Sequence, residues 1–168
     1  KQFMDADTRK RWTADGRIEL IVSKIEHPCV LNTAEYLQKQ GVTVHFLNVD
    51  PAGKILWEEF ANLLSEKTAL VSTMYGNNEI GTIQDIGKIA DAAKKAGALI
   101  HTDAVQVVGK LPGDGKKLGG DYLTLSGHKL YGPKGVGALY VKRGAPYTPL
   151  VHGGHQEHAR RAGTHNTL

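Results

Sequence analysis

The sequence contains one cysteine, Cys29, among its 168 residues. One thiol cannot form an intramolecular disulfide, and a chain without a disulfide framework fits a reducing compartment such as the cytoplasm. No run approaches the roughly 20 consecutive apolar residues that a membrane-spanning helix needs. The residues after Lys1 do not show the charged and then apolar pattern of a secretory signal. We therefore expect a cytoplasmic protein that does not enter a membrane.

The sequence also lacks a concentration of charge. Its formal net charge is +4, and the basic residues are scattered apart from short clusters at 9–11 and 160–161. Nucleic-acid binding normally needs a basic patch, so we do not expect a nucleic acid as a partner. Apolar residues make up 40% of the chain, which is typical of a globular domain with one core.

Apolar runs alternate with helical patterns along most of the chain. The runs are apolar throughout, which is typical of parallel strands buried on both faces by helices. Helices are expected to end at Gly41 and Gly97. The fold class that follows is α/β, a three-layer αβα arrangement with a mostly parallel sheet. The predicted strands are 19–23, 42–47, 68–74, 98–102, 122–125 and 138–141, and the predicted helices are 28–40, 58–66 and 85–96.

Polar loops follow four of the predicted strands. In open parallel sheets, ligands bind beyond the carboxyl ends of the strands. We therefore expect the chemistry of the protein to lie in these loops and the loops to converge at one edge of the sheet. They are residues 24–27, 75–81, 103–106 and 126–129.

The segment from Ser126 to Lys129 is the most informative of these loops. It places a lysine directly after a strand, in a glycine-rich turn that leads into another strand. A lysine whose charged form is disfavoured becomes a nucleophile and forms Schiff bases with aldehydes. Ser126 and His128 flank Gly127, where the backbone can approach a phosphate closely. The segment thus indicates an amine and a phosphate contact within reach of a cofactor.

Asp103 and Gln106 follow the predicted strand 98–102. A buried carboxylate beside a pyridine nitrogen keeps that nitrogen protonated, as pyridoxal phosphate requires when it acts as an electron sink. An amide near the phenolic oxygen of the same ring would tune it. Alternatively, Asp103 is an ordinary N-cap of a short helix, and the spacing by itself favours this second interpretation.

His27 and Asn78 follow two further strands. An imidazole at a strand–helix junction can stack on a flat ring and move protons, although a single histidine there is more often structural. Turn preferences explain Asn77, whereas the spacing leaves Asn78 open as a donor to a cofactor or substrate oxygen. The segment 160–164 offers cations, a glycine and a hydroxyl that suit a phosphate or carboxylate. A basic surface loop explains it equally well.

A histidine-rich segment near residue 160 raises the alternative of a metal-dependent hydrolase. Imidazole is the commonest zinc ligand. The segment is glycine-rich, however, and no carboxylate-rich motif accompanies it. We therefore expect no metal site. The histidines are His152, His155, His158 and His165.

Taken together, these stretches resemble the cysteine desulfurase family, within the class V aminotransferase-like, fold-type I pyridoxal-phosphate enzymes. The lysine loop and the Asp-x-x-Gln pattern are the features most specific for the cofactor. Residues 77–81 favour the desulfurase branch over the transaminases. The matching stretches keep the family's order across almost the whole chain, at 25–27, 77–81, 101–106, 126–137 and 152–164.

The resemblance implies a role for each residue around the cofactor ring. Lys129 would hold pyridoxal 5'-phosphate covalently. Asp103 would pair with the ring nitrogen, and Gln106 would contact the phenolic oxygen. His27 would stack on the ring and assist proton transfer, and Asn78 would lie near cofactor and substrate.

The resemblance also implies phosphate contacts and a reaction. Ser126 and His128 would bind the phosphate, and Thr164 would reach a phosphate in the partner subunit of a homodimer. The full-length enzyme would take sulfur from L-cysteine, leaving an enzyme persulfide and L-alanine. It would pass the sulfur to an acceptor protein, as in iron–sulfur cluster assembly. A selenocysteine lyase, a transaminase or a non-catalytic module remain alternatives.

Members of that family are much longer than this chain. Residues 1–168 match the central part of the large cofactor-binding domain. The upstream phosphate loop is missing, as is the downstream small domain with its substrate-binding arginine and sulfur-accepting cysteine. Cys29 does not occupy that cysteine's position, and we expect it to be structural. We expect the fragment alone to be inactive.

Overall fold

The computed structural model of the chain describes residues 16–111 and 119–165. A short 3-10 helix, Gly127–Lys129, follows the fifth strand. None of the helices in the described ranges has the length and apolar character needed to cross a membrane. In chain order, the elements are β1 (Glu19–Ser23), α1 (Pro28–Lys39), β2 (Thr43–Leu47), α2 (Trp57–Leu63), β3 (Thr68–Ser72), α3 (Ile86–Lys95), β4 (Leu99–Asp103), β5 (Tyr122–Ser126), β6 (Gly137–Val141) and α4 (Gln156–Ala159).

The six strands form one sheet in the order β2-β1-β3-β4-β5-β6. All neighbouring strands are parallel except β6, which runs antiparallel to β5. The predicted mostly parallel sheet is confirmed. Because β1, β3, β4 and β5 are parallel and adjacent, their carboxyl ends lie at one edge of the sheet. The four polar loops singled out from the sequence therefore begin at that edge.

Helices cover both faces of this sheet. Leu20 of β1 packs in a buried cluster with Ala34 of α1. Its neighbour Ile21 lies in a second cluster with Phe60 of α2 and Ile89 of α3. Since successive side chains of a strand point to opposite faces, α1 lies on one face and α2 and α3 lie on the other. The three-layer αβα prediction is thereby confirmed.

Most element boundaries differ from the prediction by one to three residues, and the ends of α2 and β4 do so for local reasons. The helix predicted over 58–66 ends at Leu63, because Leu64 is extended, with φ −68° and ψ 125°. The chain then turns, and the backbone N–H of Thr68 donates to the carbonyl oxygen of Ser65 at 3.0 Å. The strand predicted to end at Thr102 includes Asp103. The carboxylate of Asp103 therefore belongs to the last position of β4.

The antiparallel strand β6 forms one edge of the sheet and is largely exposed. Leu139 and Tyr140 each keep 40% or more of their surface accessible, and Leu150 keeps 64%. Tyr131, in the loop before β6, is fully exposed and has a left-handed backbone conformation with φ 61°. Large exposed apolar side chains are typical of a surface that further protein covers, whether a partner or another part of the same protein.

Candidate active site

Asp103 lies at the carboxyl end of β4, with only 7% of its surface exposed. Its Oδ1 accepts a hydrogen bond from the backbone N–H of Val105 at 2.9 Å. Its own carbonyl oxygen accepts from the N–H of Tyr75 at 2.9 Å, which fastens it to the segment after β3. Residues 105–110 form turns and not a helix, so the bond from Val105 caps the start of a turn. A buried carboxylate held in one orientation can select a cationic partner.

Gln106 lies in the turn that follows Asp103, and its side chain is half-buried. The turn is closed by the backbone N–H of Val107, which donates to the carbonyl oxygen of Ala104 at 3.0 Å. The side chains of Asp103 and Gln106 therefore start from the same carboxyl end of β4. Their predicted contacts with a ring remain predictions.

The lysine segment forms a tight turn beyond β5. The backbone N–H groups of Leu130 and Gly132 both donate to the carbonyl oxygen of Gly127, at 2.8 and 2.9 Å. A Cβ added at Gly127 would stand 3.1 Å from the carbonyl oxygen of Val136. That oxygen accepts the N–H of Gly127 at 2.8 Å, so the turn is closed on both sides and leaves little room for a side chain. Lys129 is the last residue of the 3-10 helix, and it is exposed.

The strand register brings Lys129 and Asp103 to neighbouring strand ends. Asp103 of β4 is paired with Thr124 of β5. β5 then continues to Ser126, and the 3-10 helix ending in Lys129 follows directly. An amine and a carboxylate thus occupy adjacent loops at the same edge of a parallel sheet, where ligands of such folds bind.

Ser126 and His128 form a preassembled polar pair next to Lys129. The Oγ atom of Ser126 and the Nδ1 atom of His128 are 2.7 Å apart. His128 is exposed, and Ser126 is partly buried at the end of β5. A hydroxyl and an imidazole beside a glycine suit an anion such as phosphate. The grouping predicted from the sequence is therefore present, and the phosphate contact stays a prediction.

His27 is the N-cap residue of α1, immediately after β1 and its loop. Its Nδ1 accepts a hydrogen bond from the backbone N–H of Cys29 at 3.2 Å. In the neutral ring, Nε2 then carries the proton. The Sγ atom of Cys29 lies 3.0 Å from the same nitrogen. Both residues are exposed. The Nδ1 atom of the imidazole is thus engaged by the backbone of α1, and in this tautomer Nε2 carries the proton.

The charge of Asp103 ties the start of α1 to the end of β4. Although Cys29 is largely exposed, partial desolvation raises the pKa of its thiol, and the negative charge of Asp103 raises that pKa further. β1 and β4 both pair in parallel with β3, so their carboxyl ends lie at the same edge of the sheet. A thiol with a raised pKa is a poor nucleophile, which agrees with a structural role for Cys29.

The two asparagines after β3 differ in their surroundings. The Nδ2 atom of Asn77 donates to the carbonyl oxygen of Ile25 at 2.8 Å. Its Oδ1 accepts from the backbone N–H groups of Glu79 at 2.8 Å and Ile80 at 2.9 Å. Asn78 is exposed and follows directly. Asn77 therefore builds the turn, which leaves Asn78 on the surface of the same loop.

We expect Asn77→Ala to lower the free energy of unfolding by about 2–3 kcal/mol, because three hydrogen bonds are lost. Asn78→Ala is the matched control, since it deletes the same side chain one residue later at an exposed position. We expect it to change stability by less than about 0.5 kcal/mol. Urea unfolding of both variants measures the difference, and equal losses would show that the turn does not depend on Asn77.

A family model described as Aminotransferase class-V matches residues 6–167. The chain belongs to this family. A cysteine desulfurase from Sinorhizobium fredii is 51% identical to this chain over 152 residues, which are 90% of this chain and 39% of that protein. A cysteine desulfurase NifS from Azotobacter vinelandii is 50% identical over 150 residues, covering 89% of this chain and 37% of that protein.

Solved structures support the same assignment. A NifS-like protein aligns with a TM-score of 0.89 and 42% identity, covering 95% of the class-V chain and 44% of its own. A structure of SspA in complex with cysteine aligns with a TM-score of 0.86 and 40% identity, covering 94% of this chain and 46% of the SspA chain. The chain therefore spans less than half the length of the proteins it matches. Its three-layer architecture is that of the NifS-like structures.

Two polar residues near the candidate site, His101 and Glu26, were given no role from the sequence. His101 lies on β4 two residues before Asp103, with its Nδ1 2.8 Å from the Oγ of Ser72. Its Nε2 lies 3.3 Å from the Oγ1 of Thr124. Burial lowers the pKa of the His101 imidazole, although the charge of Asp103 opposes this effect. A neutral imidazole therefore links the three central strands beneath Asp103.

Glu26 is the second missed residue, and it is buried in the loop just before His27. Burial is the main cause that raises the pKa of its carboxyl group to about 7. Glu26 is the third residue after β1, in a loop where a charged side chain is usually solvated, so no sequence signal indicated its burial.

The histidine-rich segment of the class-V chain does not form a ligand set. Within residues 16–111 and 119–165, no group of three or more His, Cys, Asp or Glu side chains is arranged to hold a metal ion. His165 instead pairs with Glu157, with Nε2 3.2 Å from Oε1. Thr164 is exposed in the segment after α4. Its predicted contact with a partner subunit remains a prediction.

Proposed function

We propose that the protein containing this chain is a pyridoxal-phosphate-dependent cysteine desulfurase. The observation that carries the proposal is the placement of Lys129 and buried Asp103 on adjacent strand ends, in a chain about half identical to named cysteine desulfurases. The activity belongs to the whole protein, since the chain covers 39% of the first relative. Residues 1–168 then form the central part of its large domain.

The donor set of the site suits this cofactor group by group. Pyridoxal phosphate, when bound, supplies an aldehyde that joins an amine and a protonated ring that withdraws electrons from the substrate. Lys129 offers the amine, and Asp103 offers a buried carboxylate for the cationic ring nitrogen. The Ser126–His128 pair offers two polar groups for the phosphate. Gln106 and Asn78 would contact the phenolic oxygen and the substrate.

In the proposed reaction, the residues of this chain bind, orient and move protons. Asp103 holds a proton on the ring nitrogen, and its bond from Val105 fixes the direction of the carboxylate. His27 would cover the ring and pass a proton through Nε2, since its Nδ1 accepts the backbone N–H of Cys29. The amine of Lys129 would take the proton from the Cα of L-cysteine.

The sulfur atom is proposed to go to a cysteine outside this chain, giving a persulfide and L-alanine. Cys29 is unsuited to that step, because partial desolvation and the charge of Asp103 raise the pKa of its thiol and so disfavour the thiolate. An acceptor protein would then take the sulfur, for example for iron–sulfur clusters. This step rests on the relatives, one of which is named cysteine desulfurase NifS.

We further propose a cytoplasmic homodimer. The exposed apolar side chains around β6, among them Tyr131, Leu139 and Leu150, form a surface that a second subunit or the remainder of the longer protein would cover. Thr164 would reach the phosphate site of the partner from its exposed position. A single free cysteine is compatible with the reducing cytoplasm.

The activity assay uses the full-length protein with pyridoxal phosphate, L-cysteine and a reducing thiol. We expect equal amounts of alanine and sulfide to form without any added 2-oxo acid. The same assay is run with L-selenocysteine, and with L-alanine plus a 2-oxo acid. Turnover only with selenocysteine, or only when a 2-oxo acid accepts the amino group, would assign the site to a lyase or a transaminase instead.

A further inference from the structure

Glu26 is a buried carboxyl group that the proposed reaction does not use. Only 4% of its surface is exposed. Its Oε1 accepts two short hydrogen bonds, from the Oγ of Ser23 and from the backbone N–H of Met74, both at 2.6 Å. Its Oε2 is buried and has no hydrogen-bond partner among the described residues. A buried, half-satisfied carboxyl is costly, so a compensating reason for keeping it is expected.

The contacts of Glu26 join two of the strand ends that form the site. Ser23 is the last residue of β1, and Met74 follows β3. Glu26 itself lies in the loop between β1 and α1, next to His27, the N-cap of α1. A bond from the Nδ2 of Asn77 to the carbonyl oxygen of Ile25 ties the same loop to the β3 side. The position of His27 therefore depends on how this loop is anchored.

We propose that Glu26 is a positioning residue that fastens the loop carrying His27 to the carboxyl end of β3, and thereby sets where the imidazole stands at the site. The role given to His27 rests on the proposed function. Glu26 itself does not touch the reacting atoms. Loss of its carboxyl group would remove the hydrogen bond from Met74, so the loop and the imidazole of His27 would no longer be held in one position.

The surroundings of Glu26 favour its neutral form. The ionisable groups that act on it are Asp103, at the end of β4, and Cys29, in the first turn of α1. Burial is the largest influence and raises the pKa of Glu26 to about 7, Asp103 adds to the increase, and the bonds from Ser23 and Met74 oppose it.

This neutral form links stability to pH with a defined sign. The pKa of Glu26 is raised from 4.5 to about 7 in the folded chain, so the folded state binds the proton more tightly than the unfolded state. Stability from this group is therefore fully present below pH 4.5 and is lost as the pH rises to about 7. Glutamine at position 26 keeps an acceptor oxygen and cannot ionise, so it removes that pH dependence.

The experiment compares Glu26→Gln and Glu26→Ala in the full-length protein, with Glu79→Gln as the control at an exposed position of the loop after β3. We expect Glu26→Gln to keep kcat within about threefold of wild type and Glu26→Ala to lower kcat by about 10–100-fold, since misplacing a group by about 1 Å costs this much. KM should change less than kcat. Glu79→Gln should match wild type in every measurement.

A second measurement tests the carboxyl group without any turnover. Difference infrared spectra of the cofactor-free protein should contain a protonated carboxyl band that disappears with a midpoint near pH 7 and is absent in Glu26→Gln. Thermal unfolding of wild type should lose stability relative to Glu26→Gln between pH 5 and 7, and no further above it. If Glu26→Ala does not fold, Glu26→Gln and the spectra decide alone.

The inference is overturned if Glu26→Gln loses as much activity as Glu26→Ala, or if no band titrates above pH 6. Either result would leave the proposed function intact, since wild-type turnover is measured separately. Conversely, a protein without desulfurase activity whose Glu26 band titrates near pH 7 would refute the proposed function. The anchoring of the loop by Glu26 would then stand on the spectra and on unfolding.

Discussion

Lys129→Ala is expected to lower the rate of alanine formation from L-cysteine by about 10³-fold or more in the full-length protein. The substitution removes both the nucleophile that would hold the cofactor and the base that would move the substrate proton, and such functions each contribute heavily. Lys129 is exposed in a turn built by backbone bonds to Gly127. Its truncation should therefore leave the fold and the unfolding temperature unchanged.

The matched control for this variant is Lys134→Ala. Lys134 is also exposed and lies in the same glycine-rich loop. It removes the same charge and should retain full activity. Alanine formation is followed in a continuous coupled assay, and the cofactor content of each variant is read from its absorbance. If Lys129→Ala kept more than about a tenth of the wild-type rate, another amine would have to be the reactive one.

Asp103→Asn is expected to lower kcat by about 10²–10³-fold while cofactor remains bound. The amide Oδ1 of asparagine can still accept the hydrogen bond from Val105, so the turn after β4 is preserved. What changes is the charge, because a neutral amide does not hold a proton on a ring nitrogen. Lys129, Ser126 and His128 are untouched and should still retain the cofactor.

Asp50→Asn provides a control with matched local geometry. The Oδ1 of Asp50 accepts from the backbone N–H groups of Ala52 at 2.9 Å and Lys54 at 2.8 Å, the same kind of turn as at Asp103. Its substitution should not affect kcat. Steady-state kinetics and bound-cofactor absorbance are measured for both variants. Near-normal kcat in Asp103→Asn would remove Asp103 from its assigned place beside the ring.

The sequence predicted the elements well where burial alone decides them. Strands such as Glu19–Ser23 are apolar because helices cover both faces of the sheet, and this pattern is visible without coordinates. The convergence of the loops after β1, β3, β4 and β5 also followed, since parallel strands carry their ligands at the carboxyl edge. The end of α2 was predicted wrongly, because the turn after it depends on a hydrogen bond from the backbone N–H of Ser65 to the Oγ1 of Thr68.

Features that depend on pairing between distant segments were not predictable. The strand order depends on contacts between segments that lie far apart in sequence, such as β1 with β3 and β3 with β4. His101 gave no signal of its own, because its partners Ser72 and Thr124 lie on neighbouring strands. Glu26 is similar, since its burial depends on Met74, 48 positions further along the chain. Such residues become visible only when the register of the sheet is known.

The most direct test is borohydride reduction of the full-length protein with pyridoxal phosphate, followed by peptide mass mapping. The modified peptide should contain Lys129, carry the mass of the reduced cofactor on that residue, and be absent from the Lys129→Ala digest. Lys134 and the other lysines should stay unmodified. A digest in which Lys129 is unmodified, or in which the cofactor is fixed to a different lysine, would contradict the assignment of the site.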